Sequence, residues 1–125
     1  MGTELLLRAC ARGQYDHVKT LIDGGIDIDA INDVGVTPLM NACVLENFTI
    51  VKLLIAHGVD VNVSNSRGYT ALYYLCEANN IDISILLVEN GAHMDFIDDW
   101  TFGDSVDRTE LFDTLKLIHA KPILK

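Results

Sequence analysis

The chain has 125 residues, of which 50% are hydrophobic and 22% charged, and its 18 acidic and 9 basic residues give a net charge of −9. This composition is that of one folded domain and excludes a disordered chain. No cluster of lysine and arginine is present to neutralise phosphates, which argues against a nucleic-acid-binding protein. The charge instead favours a protein partner, and in particular a basic one.

The lengths of the apolar stretches indicate whether the chain enters or crosses a membrane. No stretch reaches the roughly 20 apolar residues of a membrane helix, so no membrane association is expected. The N-terminal "MGTELLLRACARG" lacks the basic start and long apolar run of a secretory signal. An odd number of cysteines suits a reducing compartment. We therefore predict a cytoplasmic protein that is a monomer on its own.

The three cysteines indicate an internal repeat. Cys10, Cys43 and Cys76 follow one another at intervals of 33 residues, unlike zinc ligands, which come in close pairs. The same interval aligns "ELLLRAC", "TPLMNAC" and "TALYYLC", and then "VKTLIDGG", "VKLLIAHG" and "SILLVENG". The cysteines are therefore one structural position copied three times, and we predict small buried side chains that neither bond to each other nor bind metal.

Each unit reads as two helices followed by a tight turn. The first unit starts in its helix near Thr3. In the second, Thr37 suits a helix N-cap and Pro38 the first turn, while Gly58 ends the second helix. The third unit repeats this pattern from Gly68. A degenerate fourth follows, and we predict inward-facing apolar residues in it at Val106, Leu115, Leu117 and Ile118.

The recurring pattern G-x-T-P-L, A-C, V-x-L-L and G-x-D-V-N resembles the ankyrin repeat, and the resemblance covers essentially the whole chain. It implies an all-α solenoid of stacked helix-turn-helix units joined by β-turn or hairpin tips. Residues 1–125 would form one domain with repeats at about 3–32, 35–65, 68–98 and a degenerate 99–121. The glycine usual between the two helices survives as Gly13 but is replaced by Glu46 and Asn79. Because glutamate tolerates a left-handed backbone poorly, we predict a shifted helix junction in the second repeat.

The resemblance also implies a binding surface on the concave face, lined by the turn tips and the outer residues of the first helices. Several of the matching positions are apolar or aromatic, which is typical of interaction sites. The predicted protein-binding residues are Val34, Val36, Val44, Leu45, Arg67, Tyr69, Ile97, Asp99, Trp100 and Arg108. The competing interpretation is that the fourth repeat folds back over part of this stripe, with Trp100 packed as a cap.

Catalysis is not expected. His17, His57, His93 and His119 are isolated from other candidate ligands or catalytic partners, and no nucleotide-binding or zinc-protease motif occurs. We predict neither enzymatic activity, nor a cofactor, nor a metal site.

The leading function is therefore a protein-interaction module that occludes a basic partner, as an inhibitor or immunity-like protein, or that serves as an adaptor. Acidic residues from Asp95 to Asp113 surround Trp100 and Phe102, and either steer that partner or simply form a polar cap. Two alternatives stay open. One is a host-directed effector. The other is a regulatory target, because "LIAHGVDVN" resembles the ankyrin sequence that asparaginyl hydroxylases modify, at Asn62 here.

Overall fold

The chain is seen in a computed structural model that describes residues 2–97 and 105–120. The described part contains seven helices and no strand. The helices are α1 Gly2–Ala11, α2 Tyr15–Asp23, α3 Pro38–Val44, α4 Phe48–Ala56, α5 Ala71–Glu77, α6 Ile81–Glu89 and α7 Thr109–Ala120. The prediction of an all-α solenoid is confirmed.

Two layers of helices build the solenoid. The first helices of the repeats form the inner layer, in which α1 packs on α3 and α3 packs on α5. Each is followed by its antiparallel partner in the outer layer of α2, α4 and α6. The core lies between the layers, where Leu39, Leu54, Leu72 and Leu87 are fully or almost fully buried. A single repeat would leave these apolar faces in water, so the stack supplies the hydrophobic stabilisation.

The helix starts are fixed by short polar side chains. The Thr37 hydroxyl accepts a hydrogen bond from the Met40 amide at 3.0 Å, and Pro38 opens α3, both as predicted. Asn47 and Asn80 act in the same way at the starts of α4 and α6. Their side-chain oxygens accept hydrogen bonds from the amides of Ile50 and Ile83, each three residues later in the chain. Each cap satisfies a backbone donor that a helix leaves unpaired.

The predicted shift of the helix junction in the second repeat is wrong. Glu46 adopts a φ of 58°, close to the 68° of Gly13 and the 55° of Asn79 at the matching positions. The amide of Glu46 donates to the Cys43 carbonyl at 2.9 Å, as the amide of Gly13 does to Cys10 in the first repeat. The geometry of the stack therefore imposes the left-handed backbone on glutamate. The Glu46 carboxylate also accepts a hydrogen bond from the Asn80 side chain, 2.9 Å away in the next repeat.

The turn tips are organised by one asparagine each. The Asn32 side-chain oxygen accepts the amides of Val34 and Val36, both at 3.0 Å. Asn65 does the same for Arg67 and Tyr69. The two tips are then joined directly, because the Ser66 amide donates to the Val34 carbonyl at 2.9 Å. These bonds give the tips a defined position along the edge of the inner layer.

The three cysteines are buried and free, as predicted. Burial raises the pKa of Cys10 and of Cys76 to about 12, and it raises the pKa of Cys43 as well. All three thiols are consequently neutral at physiological pH, which suits small hydrophobic packing residues.

Ser84 is a polar residue at a core position. It is fully buried on α6, where the matching positions of α2 and α4 hold the buried Val18 and Val51. Its hydroxyl makes no hydrogen bond of ordinary geometry to a described residue. The Ser84 hydroxyl interacts with the thiol of Cys76 and lowers its pKa, although burial raises that pKa by more. A thiol is a weak hydrogen-bonding group, so the Ser84 hydroxyl is poorly compensated for its loss of water.

The substitution Ser84→Val is therefore expected to raise the free energy of unfolding by about 1 kcal/mol, since a buried polar group is exchanged for an apolar one. Urea denaturation of the purified protein measures this. The reverse change, Val51→Ser, is the matched control and is expected to lower stability by about 2 kcal/mol. A less stable Ser84→Val variant would contradict the prediction and would show that the site has no room for the second methyl group.

The C-terminal helix does not follow the repeat register. Helix α7 packs against α6, and its buried residues are Leu111 and Leu115. Val106 precedes the helix and is half-exposed, while Leu117 is 75% exposed. The inward positions predicted for Val106 and Leu117 are thus wrong, although Leu115 is buried and Ile118 partly so. Helices α4 and α6 begin 33 residues apart, and the same spacing would start the next second helix about five residues after the first residue of α7. This offset changes which residues of α7 face inward.

Candidate protein-binding surface

Three apolar side chains are exposed on the first tip and on α3, the helix that follows it. Val34 is 53% exposed at the tip, and Val44 and Leu45 at the end of α3 are 60% and 46% exposed. Leu45 also leans toward the first repeat, because a Cβ built on Gly13 would lie 3.0 Å from its Cδ2. Exposed apolar side chains are ordinary when scattered, but these three lie on one tip and on the helix that follows it.

A shallow pocket adjoins this surface at the start of the chain. It has a volume of about 430 Å³ and lies between the beginning of α1 and the first tip. Its lining residues are Thr3, Glu4, Ile31, Asn32, Asp33 and Val34. Ile31 is 52% exposed, so the apolar surface extends past Val34 toward the first repeat.

The third repeat is aromatic where the second is aliphatic. The ring of Tyr69 stacks on that of Tyr73, with centroids 3.9 Å apart and planes within 1° of parallel. Tyr74 meets both rings edge-on, and Phe96 lies 5.9 Å from Tyr73. Burial, assisted by the hydrogen bond to Tyr69, raises the pKa of Tyr73 to about 12, so its phenol is neutral.

Sequence reasoning named Tyr69 but missed its stacking partner. Tyr73 matches Leu7 and Met40 of the earlier repeats, which are not aromatic, so the repeat pattern does not indicate a ring at this position. The run "YTALYYL" places Tyr69 four residues before Tyr73, which is the one signal that could have suggested contact. Tyr69 is only partly exposed because its ring packs on Tyr73. Val36 is also partly exposed and packs against the hydrophobic core, whereas Arg67 is exposed at the tip.

Two of the predicted surface residues are buried. Ile97 is 5% exposed and belongs to the hydrophobic core. Arg108 is 6% exposed, and its guanidinium donates from Nε to the Cys76 carbonyl at 2.7 Å and from Nη2 to the Glu77 carbonyl at 2.8 Å. The prediction that both residues are exposed is therefore wrong. Ile97 packs in the core, and Arg108 is held by its hydrogen bonds to the end of α5. Asp99 and Trp100 lie outside the described residues.

Acidic side chains are exposed towards the C-terminal end. Within the part of the chain that is described, they are Asp95, Asp107, Glu110 and Asp113. Hydrogen bonds from Thr109 lower the pKa of Asp107, so this carboxylate is ionised at neutral pH. These four acids outnumber the exposed Lys116 of the same region, so the described C-terminal part of the chain is negative.

Asn62 is a structural link between repeats. Its side-chain nitrogen donates to the Gly91 carbonyl at 3.0 Å, and its oxygen accepts the His93 amide at 2.8 Å. Asp29 makes the equivalent contact one repeat earlier, accepting the Asp60 amide at 2.9 Å. These bonds explain why an amide or carboxylate stands at this position. Modification of Asn62 stays a prediction.

No metal-binding group of three or more histidine, cysteine or acidic residues occurs within residues 2–97 and 105–120. The Nδ1 atom of His57 lies 3.0 Å from the Leu53 carbonyl, where the ring occupies the end of α4. Over the same residues, no helix is long and apolar enough to cross a membrane.

Comparison with known families agrees with the geometry of the stack. A family model described as "Ankyrin repeats (3 copies)" matches residues 6–98. No curated protein matches the chain. The match begins within α1, includes α2 to α6, and stops before α7.

Proposed function

Because the chain belongs to the ankyrin repeat family, whose members are protein–protein interaction modules that typically do not catalyse reactions, we propose that its concave face binds and occludes one basic protein. The binding surface consists of Ile31, Val34, Val44 and Leu45, together with the exposed parts of Arg67 and Tyr69. The role is that of an inhibitor or adaptor.

The observation that carries this proposal is the exposure of Val34 on the first tip and of Val44 and Leu45 at the end of α3, each about half or more. These side chains are already exposed, so a partner can bury them without any rearrangement of the core. Their burial would remove apolar area from water. In the third repeat, stacking of Tyr69 on Tyr73 restricts both rings before binding, so their ordering costs little entropy.

The charge supports a basic partner. The chain carries nine more acidic than basic residues, and the described acids after Met94 are exposed. Such a field raises the rate of encounter with a positively charged protein and discriminates against acidic ones. The affinity should therefore fall as salt is added, whereas purely apolar binding would not weaken.

The test begins with partners captured from extracts of the source and identified by mass spectrometry, followed by affinity measurements with each purified candidate. The double variant Val34→Ser, Val44→Ser removes apolar surface from exposed positions, so its stability should stay within about 0.5 kcal/mol of the parent. We expect its affinity to fall at least about tenfold. Raising the salt concentration should weaken the parent complex further.

Leu117→Ser is the matched control, because it removes an even more exposed leucine from α7, the helix that packs against α6 of the outer layer. Its affinity should equal that of the parent. An unchanged affinity for the Val34→Ser, Val44→Ser protein would place the contact elsewhere, and a partner that binds equally well at high salt would reject the electrostatic part of the proposal.

A further inference from the structure

The outer layer is apolar in a place where a solenoid normally meets water. Helix α2 has charged or polar residues on its outward side, as an amphipathic surface helix should. In α4 and α6, by contrast, apolar side chains stand on the outward side beside the few charged residues, of which Lys52 is the single base of the two helices. Phe48 is 44% exposed, and Ile85 and Leu86 are partly exposed. Apolar side chains grouped on the outward side of a helix mark an interaction site.

These outward residues share a groove. It lies between α4 and α6, has a volume of about 500 Å³, and is lined by Phe48, Asp82, Ile85, Leu86 and Glu89. Phe48 supplies one wall from α4, and Ile85 and Leu86 supply the other from α6. An exposed aromatic ring beside aliphatic side chains is the composition of an interface anchor.

The charges of the groove are all of one sign. Asp82 and Glu89 stand one turn before and one turn after Ile85 and Leu86 on α6, and both are exposed. Their seven-residue separation corresponds to about 10.5 Å along the helix axis. Lys52 is not among the lining residues. The groove is thus apolar at its centre and negative at both ends.

From this arrangement we infer that the convex groove between α4 and α6 is a second docking site, and that it binds an amphipathic helix with apolar residues at its centre and a basic residue at each end. Two basic residues seven positions apart on the partner helix would match Asp82 and Glu89, with leucine-like side chains between them reaching Phe48 and Ile85. A second copy of this chain fits poorly, because pairing two such grooves would bring four carboxylates together.

The inference is independent of the concave-face proposal and is tested with a defined probe. The probe is a synthetic, fluorescently labelled helical peptide of about 15 residues with two lysines seven positions apart and two leucines between them. One control peptide has glutamates in place of the lysines, and the other has serines in place of the leucines. Fluorescence anisotropy gives the affinities for the full chain, and circular dichroism confirms that each protein variant is folded.

We expect the lysine peptide to bind, and the double variant Phe48→Ser, Ile85→Gln to bind it at least about tenfold more weakly. Asp82→Asn with Glu89→Gln should weaken binding about fivefold and flatten its salt dependence. This charge variant alters exposed positions only, so it keeps the test valid if the first variant does not fold.

Three control variants define specificity. Leu117→Gln removes an exposed leucine elsewhere, Asp16→Asn removes a first-turn carboxylate from α2, and Val34→Ser with Val44→Ser alters the concave face. All three should bind the lysine peptide like the parent. Equal binding of the glutamate peptide, unchanged binding by the groove variants, or loss of the groove surface to self-association in sedimentation experiments would each overturn the inference. None of these results would affect the concave-face proposal.

Discussion

Replacing Arg108 by alanine is expected to lower the free energy of unfolding by about 2–4 kcal/mol. The change removes a buried, charged hydrogen-bond donor and leaves the two carbonyls that it bonds without this partner. The Arg108 guanidinium donates to the Cys76 and Glu77 carbonyls in the last turn of α5. A positive charge there also complements the negative end of the α5 dipole. The residue directly precedes α7, so it anchors this helix to the third repeat. Urea denaturation measures the global loss, and hydrogen exchange should show faster opening of α7.

Two further variants test the cause of this effect. Arg108→Lys keeps the charge but cannot reach both carbonyls with a planar fork, so an intermediate loss of stability is expected. Arg8→Ala, at an exposed position of α1, should change stability by no more than about 0.5 kcal/mol. If Arg108→Ala is as stable as the parent, the arginine does not anchor α7.

Gly35→Ala is expected to cost about 2–4 kcal/mol, because two penalties act together. The φ of Gly35 is +81°, a conformation that alanine adopts poorly. A Cβ at this position would also lie 2.9 Å from the Cα of Asn65 in the next tip. That neighbour is backbone, so neither atom can move without disturbing the Ser66–Val34 hydrogen bond between the tips.

Gly68→Ala separates the two penalties. Gly68 holds the matching position one repeat later with a φ of +80°, and no described residue comes within 4 Å of a Cβ built there. It should therefore lose about 1–2 kcal/mol, for the backbone conformation alone. Thermal or urea unfolding of both variants gives the difference. Equal losses would show that the close approach of the tips adds nothing to the cost.

The regular part of the fold is predictable because its signals are local and repeated. Thr37, Pro38 and Asn47 act through hydrogen bonds and backbone angles within a few residues, so they mark helix starts without knowledge of the rest of the chain. The spacing of Cys10, Cys43 and Cys76 adds a second, independent measure of the same period. Repetition therefore supplied the stacking order of α1 to α6.

The end of the solenoid was predicted less well for a physical reason. After Ile97 the period is lost, and the position of α7 depends on long-range contacts, such as the one between Arg108 and the end of α5. Such a contact joins residues about 30 positions apart and has no local pattern. Likewise, Glu46 keeps the standard junction because neighbouring repeats hold it there, although its own preference opposes this.

The candidate surfaces divide in the same way. Val34, Val44 and Leu45 were predicted because they match the contact positions that the ankyrin resemblance implies, and all three are exposed. The convex groove was not predicted, because Ile85 and Leu86 stand in the apolar run "ILLV" and look like ordinary core residues. Burial separates them from Leu87, which has the same chemistry and faces inward.

The three buried cysteines affect how the protein is inactivated by oxidation. In the folded state each thiol is enclosed and neutral, so oxidants find no thiolate to attack. Unfolding returns all three to water at an ordinary pKa of about 8.5, where disulfides and sulfenic acids form readily. Under oxidising conditions an unfolded molecule would acquire bonds that the stacked repeats cannot accommodate, and refolding would stop. The lifetime of the protein outside a reducing environment would then be set by how rarely it opens, through kinetic rather than thermodynamic stability.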